Sequence, residues 1–277
     1  MNDPLVEILM ATYNGEAHIA EQLDSLIAQS YANWKVLVHD DGSTDATVRI
    51  VAAYASRYPE RIIVLDDGHR CGGAKSNFAH LMAMSSADYI FFCDQDDVWL
   101  SSKVADSVKT ILAAEAVHRR ETPLAVFTDL TVVDAKLNVL ADSMWEFQRI
   151  KPELADSVNT LAVRNCMTGC TMLMNRAAVG ACLPIPAYAV MHDWWCGLKI
   201  LQARGRLIAM KSPLVLYRQH GSNVVGARRW GPALIARKLL NFGSYWGDLR
   251  RNFVMAKHFL PELTFYSFAL KKLHALR

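Results

Sequence analysis

Three carboxylates fall within four residues at Asp94-Gln95-Asp96-Asp97, directly after an apolar run from Tyr89 to Cys93. Carboxylates this close repel one another, and burial sharpens the conflict because it disfavours the charged form. A hard divalent cation, Mg²⁺ or Mn²⁺, resolves it, since such ions take oxygen ligands and bring phosphates with them. A solvated acidic turn that starts the next helix is the other reading of the same residues. Farther along, Asp193 precedes Trp194-Trp195, and His220 lies in Tyr217-Arg218-Gln219-His220-Gly221-Ser222-Asn223. An aspartate so placed is a helix N-cap or a base; a lone histidine is structural or a metal ligand. Cys166 and Cys170 could supply two ligands, but no second pair completes a zinc site. No GxxxxGK[ST] loop is present and no GxGxxG follows the first apolar run, which argues against a P-loop ATPase and a Rossmann dehydrogenase. Phosphates would then be held by a cation on Asp94 and Asp96, with Lys75 or Arg218 assisting.

Short apolar runs alternate with amphipathic stretches through the first half. Residues 6–11, 34–39, 61–65 and 89–93 read as strands, and helices follow at 16–29, from the Ser43-Thr44-Asp45 cap to about 58, after Gly72-Gly73, and at 101–118. This alternation predicts βαβ units with parallel strands. Polar or acidic loops then follow the first, second and fourth strands at one edge of the sheet, the edge where open α/β sheets bind ligands. Farther on, residues 124–134 hold one or two strands, 169–174 a strand, 193–202 a helix capped by Asp193 and stopped at Gly205, and 206–210 and 214–217 two more strands. Residues 141–165 have no period, and 230–277 read as helical.

Composition bounds the partners. The chain has 277 residues, 52% hydrophobic and 21% charged, which is an ordinary globular balance. No run of about 18 apolar residues predicts a membrane span, and Met1-Asn2-Asp3-Pro4 does not read as a signal peptide. Six cysteines without a CxxC spacing fit reduced thiols in the cytoplasm. Residues 221–277 carry net charge +8 and the rest −5, so the basic tail is expected to meet an anionic surface, with Phe and Trp inserting. A helical pair packed on the domain, or a dimer interface, is the alternative for the tail. Nucleic acid is not an expected partner.

Three segments in order, Ala11-Thr12-Tyr13-Asn14-Gly15, Asp40-Asp41-Gly42-Ser43-Thr44-Asp45 and Asp94-Gln95-Asp96-Asp97-Val98-Trp99, resemble the family 2 glycosyltransferases of GT-A fold. His192-Asp193-Trp194-Trp195 and the stretch from Tyr217 to Gly226 are similar to a bacterial subgroup often associated with rhamnosyl transfer in surface-polysaccharide assembly. The resemblance covers residues 5–226 and implies an α/β GT-A domain over 1–226, with a mixed, mainly parallel sheet flanked by helices, followed by a helical appendage over 227–277.

It also implies roles. Asp94-Gln95-Asp96 would be the DxD motif: Asp96 binds the metal that bridges the donor diphosphate, His220 is a third-ligand candidate, and Asp94 approaches the ribose or sugar. Asp41 would read the base and Tyr13 stack on it, with Thr12, Asn14 and Gln95 beside them. Asp97, Lys75 and Arg218 are candidates for the donor site, and Trp194 and Trp195 for an apolar platform under a sugar. Asp193 would be the base of an inverting transfer, its pKa kept low by the helix start. The implied reaction is metal-dependent, with Mg²⁺ or Mn²⁺, and moves a sugar, rhamnose first, from a dTDP- or UDP-sugar to a glycan or lipid-linked acceptor. The enzyme would sit in the cytoplasm, with its tail on the inner face of the membrane. A nucleotidyltransferase or a non-catalytic nucleotide- or glycan-binding module are the competing readings.

Overall fold

The computed structural model describes residues 3–221, 226–227 and 242–274. Part of the Tyr217–Gly226 motif (222–225) and part of the basic tail (228–241 and 275–277) lie outside the described residues. The first half is built as the apolar runs dictate. Strands β1 (Val6–Thr12), β2 (Trp34–Asp40), β3 (Ile62–Val64) and β4 (Tyr89–Cys93) are linked by helices α1 (Ile19–Ile27), α2 (Thr47–Arg57) and α3 (Ala74–Met84). They pair in parallel in the order β3-β2-β1-β4. β4 is buried along its whole length: Ile90 and Phe92 pack on one face, Tyr89, Phe91 and Cys93 on the other. Burial on both faces is why β1, β2 and β4 read as continuous apolar runs rather than as alternations.

The second half departs from the sequence reading in detail. After β4 comes a two-residue strand β5 (Val98–Trp99), then α4 (Lys103–His118), β6 (Leu124–Val133) and β7 (Val139–Ala141). Residues 141–165 are broken into α5 (Met144–Gln148), a 3-10 turn at Pro152–Asp156 and α6 (Val158–Leu161), pieces too short to show a helical period. The strand expected at 169–174 is a 3-10 turn, Gly169–Thr171, followed by β8 (Leu173–Asn175). Then come α7 (Arg176–Cys182) and α8 (His192–Gln202). The two strands expected after residue 205 are one, β9 (Arg206–Arg218), parallel to β6 and shifted in register between Met210 and Pro213. Pro213 lacks an N–H for the ladder, and its place at the irregularity fits that. β8 joins β4 to β6 and β5 edges β9, all antiparallel, to complete one mixed sheet.

Arg204, at φ 60°, and Gly205 end α8; a Cβ at Gly205 would lie 2.1 Å from the Pro123 carbonyl, so only glycine fits there. The helices Phe242–Phe259 and Phe265–His274 bring Met255, Phe259 and Phe268, and their connection brings Leu263, to the same apolar layer as α3, α7 and α8. No helix among the described residues is long and apolar enough to cross a membrane.

Candidate active site

The C-terminal ends of β1, β2 and β4 open on a cavity of about 980 Å³, which also receives the starts of α3 and α8. Its wall is a set of side-chain latches between loops. Thr12, buried, donates from Oγ1 to Asp40 Oδ1 at 3.1 Å, and Asp40 Oδ2 accepts the N–H groups of Gly42 and Ser43 at 3.0 and 2.7 Å. Asn14, at φ 48°, donates its N–H to Ser43 Oγ and accepts that of Thr44, both at 2.8 Å. Gln95 grips the backbone of Tyr13 at two points: Oε1 accepts its N–H and Nε2 donates to its carbonyl, each at 2.9 Å. Gly15 lets that latch close, because a Cβ there would lie 2.3 Å from Gln95 Oε1. Tyr13, 57% exposed as a residue, is thereby held at the cavity mouth. Asp41 also lines the cavity, and its carboxylate accepts the N–H groups of Cys71, Gly72 and Gly73 at 2.5, 3.0 and 2.7 Å. It therefore compensates the N-terminus of α3, where an acidic group is favoured.

Asp94 and Asp96 face the cavity, and His220 reaches them from the loop after β9, its Nε2 2.7 Å from Asp96 Oδ2. Burial, then the charges of Asp96 and Asp193, push the Asp94 carboxyl up to about 7. Asp193 closes the opposite side. Its Oδ1 accepts the Trp194 N–H at 2.6 Å and its Oδ2 the amide of Asn165 at 3.2 Å. The helix start does not keep this residue acidic as expected. Met191 occupies the N-cap, Asp193 lies in the first turn with 6% exposure, and burial pushes it up to about 6. Desolvation outweighs the hydrogen bonds and the helix end, and leaves a stronger base than a surface aspartate.

Five expected site residues stand elsewhere. Asp97 is fully buried and turned from the cavity: its Oδ1 accepts the Arg218 N–H at 3.1 Å, next to the Val98–Leu216 pair that ties β5 to β9. Arg218, 2% exposed, spends its guanidinium inward on the carbonyls of Asp96 and Ala135, both at 2.8 Å, and on Glu21. It braces the Asp96 backbone. Lys75 Nζ donates to the carbonyls of Ala187 and Ala189 at 2.6 and 2.7 Å, and so fastens α3 to the loop before α8. Trp194 and Trp195 are core residues, 6% and 3% exposed, whose indole N–H groups go to the carbonyls of Leu161 and Cys182. Buried indoles need such partners, which settles their place.

Other groups on the cavity wall were not singled out in the sequence. His192 packs at a tilt against Phe78 and edge-on to Phe92, with ring centroids 4.2 and 4.6 Å away, and burial drives its pKa down to about 3. Neither of its ring nitrogens has a partner among the described residues, so a neutral imidazole borders the cavity beside Asp193. A histidine next to the candidate base was the available signal. Asn165 and Thr168 lie where the sequence shows no period, and nothing marked them. Cys166 and Cys170 do not act together: Cys166 Sγ faces the Pro152 carbonyl, and Cys170 lies beside Asp94 and Asp97.

Residues 7–179 match the family profile described as glycosyl transferase family 2. The chain belongs to that family. Within it, the chain is 30% identical over 230 residues to the dTDP-rhamnosyl transferase RfbG of Shigella flexneri, covering 79% of this chain and 74% of that one. Two solved structures share the fold at low identity. TarS of S. aureus in complex with UDP-GlcNAc superposes with a TM-score of 0.63 at 17% identity, over 98% of this chain and 71% of that chain. The mannosyltransferase PcManGT of Pyrobaculum calidifontis in complex with GDP-Man and Mn²⁺ does so with 0.61 at 16%, over 99% and 74%. The fold is GT-A and the chain is a glycosyltransferase, which answers the nucleotidyltransferase and the non-catalytic module.

Proposed function

We propose that this glycosyltransferase moves rhamnose from a dTDP-sugar to a glycan or lipid-linked acceptor in bacterial surface-polysaccharide synthesis, with inversion and with a divalent cation. The observation that carries the reading is the convergence of Asp94, Asp96 and Asp193 on one cavity, close enough for the Asp193 charge to raise Asp94. The likeness to a dTDP-rhamnosyl transferase supports the sugar and the nucleotide. In this reading Tyr13 stacks on the base, Thr12, Asn14 and Gln95 shape its loop, and Asp41 meets it at the cavity wall. Asp193 takes the proton from an acceptor hydroxyl as that oxygen bonds to the anomeric carbon. The bond from that carbon to the diphosphate breaks on the opposite face, and the proton ends on the Asp193 carboxylate.

Asp94, Asp96 and His220 fit a hard divalent cation. Two carboxylates and an imbalance of buried negative charge at Asp94 call for one, and an imidazole stands at hydrogen-bond distance from Asp96. When bound, the cation neutralises the charge that develops on the departing diphosphate.

A donor screen by thermal unfolding tests this. With dTDP-rhamnose at about 100 times its Kd and Mn²⁺ present, the expected stabilisation is about 2.7 kcal/mol, on the order of 5 °C. An equal shift from UDP- or GDP-sugars would sink the dTDP-rhamnose assignment, and a shift indifferent to Mn²⁺ would sink the cation's role.

The tail supports a peripheral membrane contact. The two C-terminal helices expose Trp246, Val254, Tyr266, Leu270 and Leu273 near the basic residues Arg250 and Lys271. Anionic headgroups attract such charges while the apolar side chains insert. The protein is expected to float with liposomes rich in anionic lipid and to stay behind with neutral ones; sedimentation away from both would leave the helices as packing alone.

A further inference from the structure

We propose that His39, Asp67 and His80 form a transition-metal site, suited to Zn²⁺, outside the catalytic cavity. His39 lies near the end of β2, Asp67 in the segment after β3 and His80 on α3; one ligating atom from each lies within 4.8 Å of the others. Asp67 joins the two rings: Oδ1 is 3.5 Å from His39 Nε2 and Oδ2 is 2.7 Å from His80 Nε2.

Asn77, on α3, decides the chemistry of the buried ring. Its Nδ2 donates to the His39 carbonyl at 3.1 Å, which turns its Oδ1 toward His39 Nδ1 at 2.7 Å. Oδ1 can only accept, so Nδ1 carries the proton. In the neutral ring Nε2 is then a lone pair aimed at a carboxylate oxygen, two acceptors face to face. A metal ion between the two relieves it by taking a lone pair from each. A ligating imidazole usually has its far N–H held by an outer-shell acceptor, and Asn77 Oδ1 takes that place for His39.

The donor set also selects the ion. Two imidazole nitrogens and one carboxylate suit Zn²⁺, Co²⁺ or Ni²⁺, whereas Mg²⁺ favours oxygen alone. Ligating atoms of a tetrahedral zinc stand about 3.3 Å apart. The His39–Asp67 pair is already near that spacing. His80 must open by about half an ångström from its present 2.7 Å, and its side chain, 20% exposed, has room to do so. The site has a structural consequence. Asp67 belongs to the segment from β3 to α3 whose N–H groups at 71–73 hold Asp41 at the cavity wall, so an ion here fastens that wall from behind.

The test uses full-length protein with the cavity ligand removed. Asp96→Asn protein, stripped with chelator and dialysed against micromolar Zn²⁺, is expected to keep one zinc per chain. The double variant Asp96→Asn/His80→Ala is expected to keep none, and Co²⁺ is expected to give the intense visible absorption of a four-coordinate ion in the first protein only. Asp67→Asn, which preserves shape, must also lose the metal, with circular dichroism checking that both variants are folded. Zinc content unaffected by His80→Ala, or no zinc in the Asp96→Asn protein, would overturn the site.

Discussion

Replacing Asp193 by asparagine is expected to lower kcat roughly 10²–10⁴-fold, the usual contribution of a positioned general base, while donor-induced stabilisation stays as in the wild type. Asparagine keeps an oxygen for the Trp194 N–H but has no affinity for the acceptor proton. The same substitution separates catalysis from folding. A carboxyl held near pKa 6 in the folded chain, against 3.8 ordinarily, binds its proton more tightly when folded. Its contribution to stability is therefore full below about pH 3.8 and is lost as the pH rises through about 6. The asparagine side chain has no such dependence, so the variant should melt at a higher temperature than the wild type above pH 6, although inactive. The wild-type rate has the opposite dependence. Only the ionised base accepts a proton, so kcat/KM should fall about tenfold per pH unit below pH 6 and level off above it. A variant with wild-type turnover, or a wild-type rate flat from pH 7 to pH 5, would remove Asp193 from the mechanism.

The sequence carried the ligand edge of this enzyme better than its interior. β1, β2 and β4 are buried on both faces, so each left a continuous apolar run, and each run ends at the loop that forms the cavity floor. Thr12, Tyr13, Asn14, Asp41, Asp94, Gln95 and Asp96 are consequently where the resemblance led one to look, with Asp193 and His220 facing them. Long cations were misread for a physical reason. Lys75 meets carbonyls 112 and 114 positions away and Arg218 one 122 positions away, and no local pattern encodes such partners. The tryptophans failed differently: an aromatic residue in the first turn of a helix suits a sugar platform or a core equally, and only the carbonyls that receive Trp194 and Trp195 decide between them. For Asp193 the helix start was visible but the burial was not, and burial reversed the direction of its pKa. Asn165 and Thr168 come from a segment cut into pieces of five residues or fewer, below the length at which a period can show.

The Asp96→Asn variant should lose at least about 10²-fold in turnover, because metal stabilisation of the leaving group amounts to several kcal/mol and each 1.4 kcal/mol is a factor of about ten. Chelation of the wild type with EDTA should match that loss, and added Mn²⁺ should restore the wild type but not the variant. The substitution is mild for the fold. Arg218 braces the carbonyl of Asp96, not its side chain, so the strut from β9 persists, and an asparagine oxygen can still accept from His220 Nε2. Removing one charge from the group should also relieve Asp94, whose carboxyl is pushed up to about 7 by burial first and by Asp96 next. Without metal the variant is therefore expected to melt no lower than the wild type, and with donor present its melting temperature should no longer respond to Mn²⁺. Each alternative predicts a different pair of results. If Asp96 only capped the following helix, the variant would be less stable and its donor shift would still respond to Mn²⁺. If the cation sat on Asp94 and Asp97 beside Cys170, Asp96→Asn would keep both its Mn²⁺ response and most of its activity. Asp97 is fully buried and its Oδ1 already accepts the Arg218 N–H, so a cation there would have to share that carboxylate with the contact that ties β9 to the Asp96–Asp97 turn.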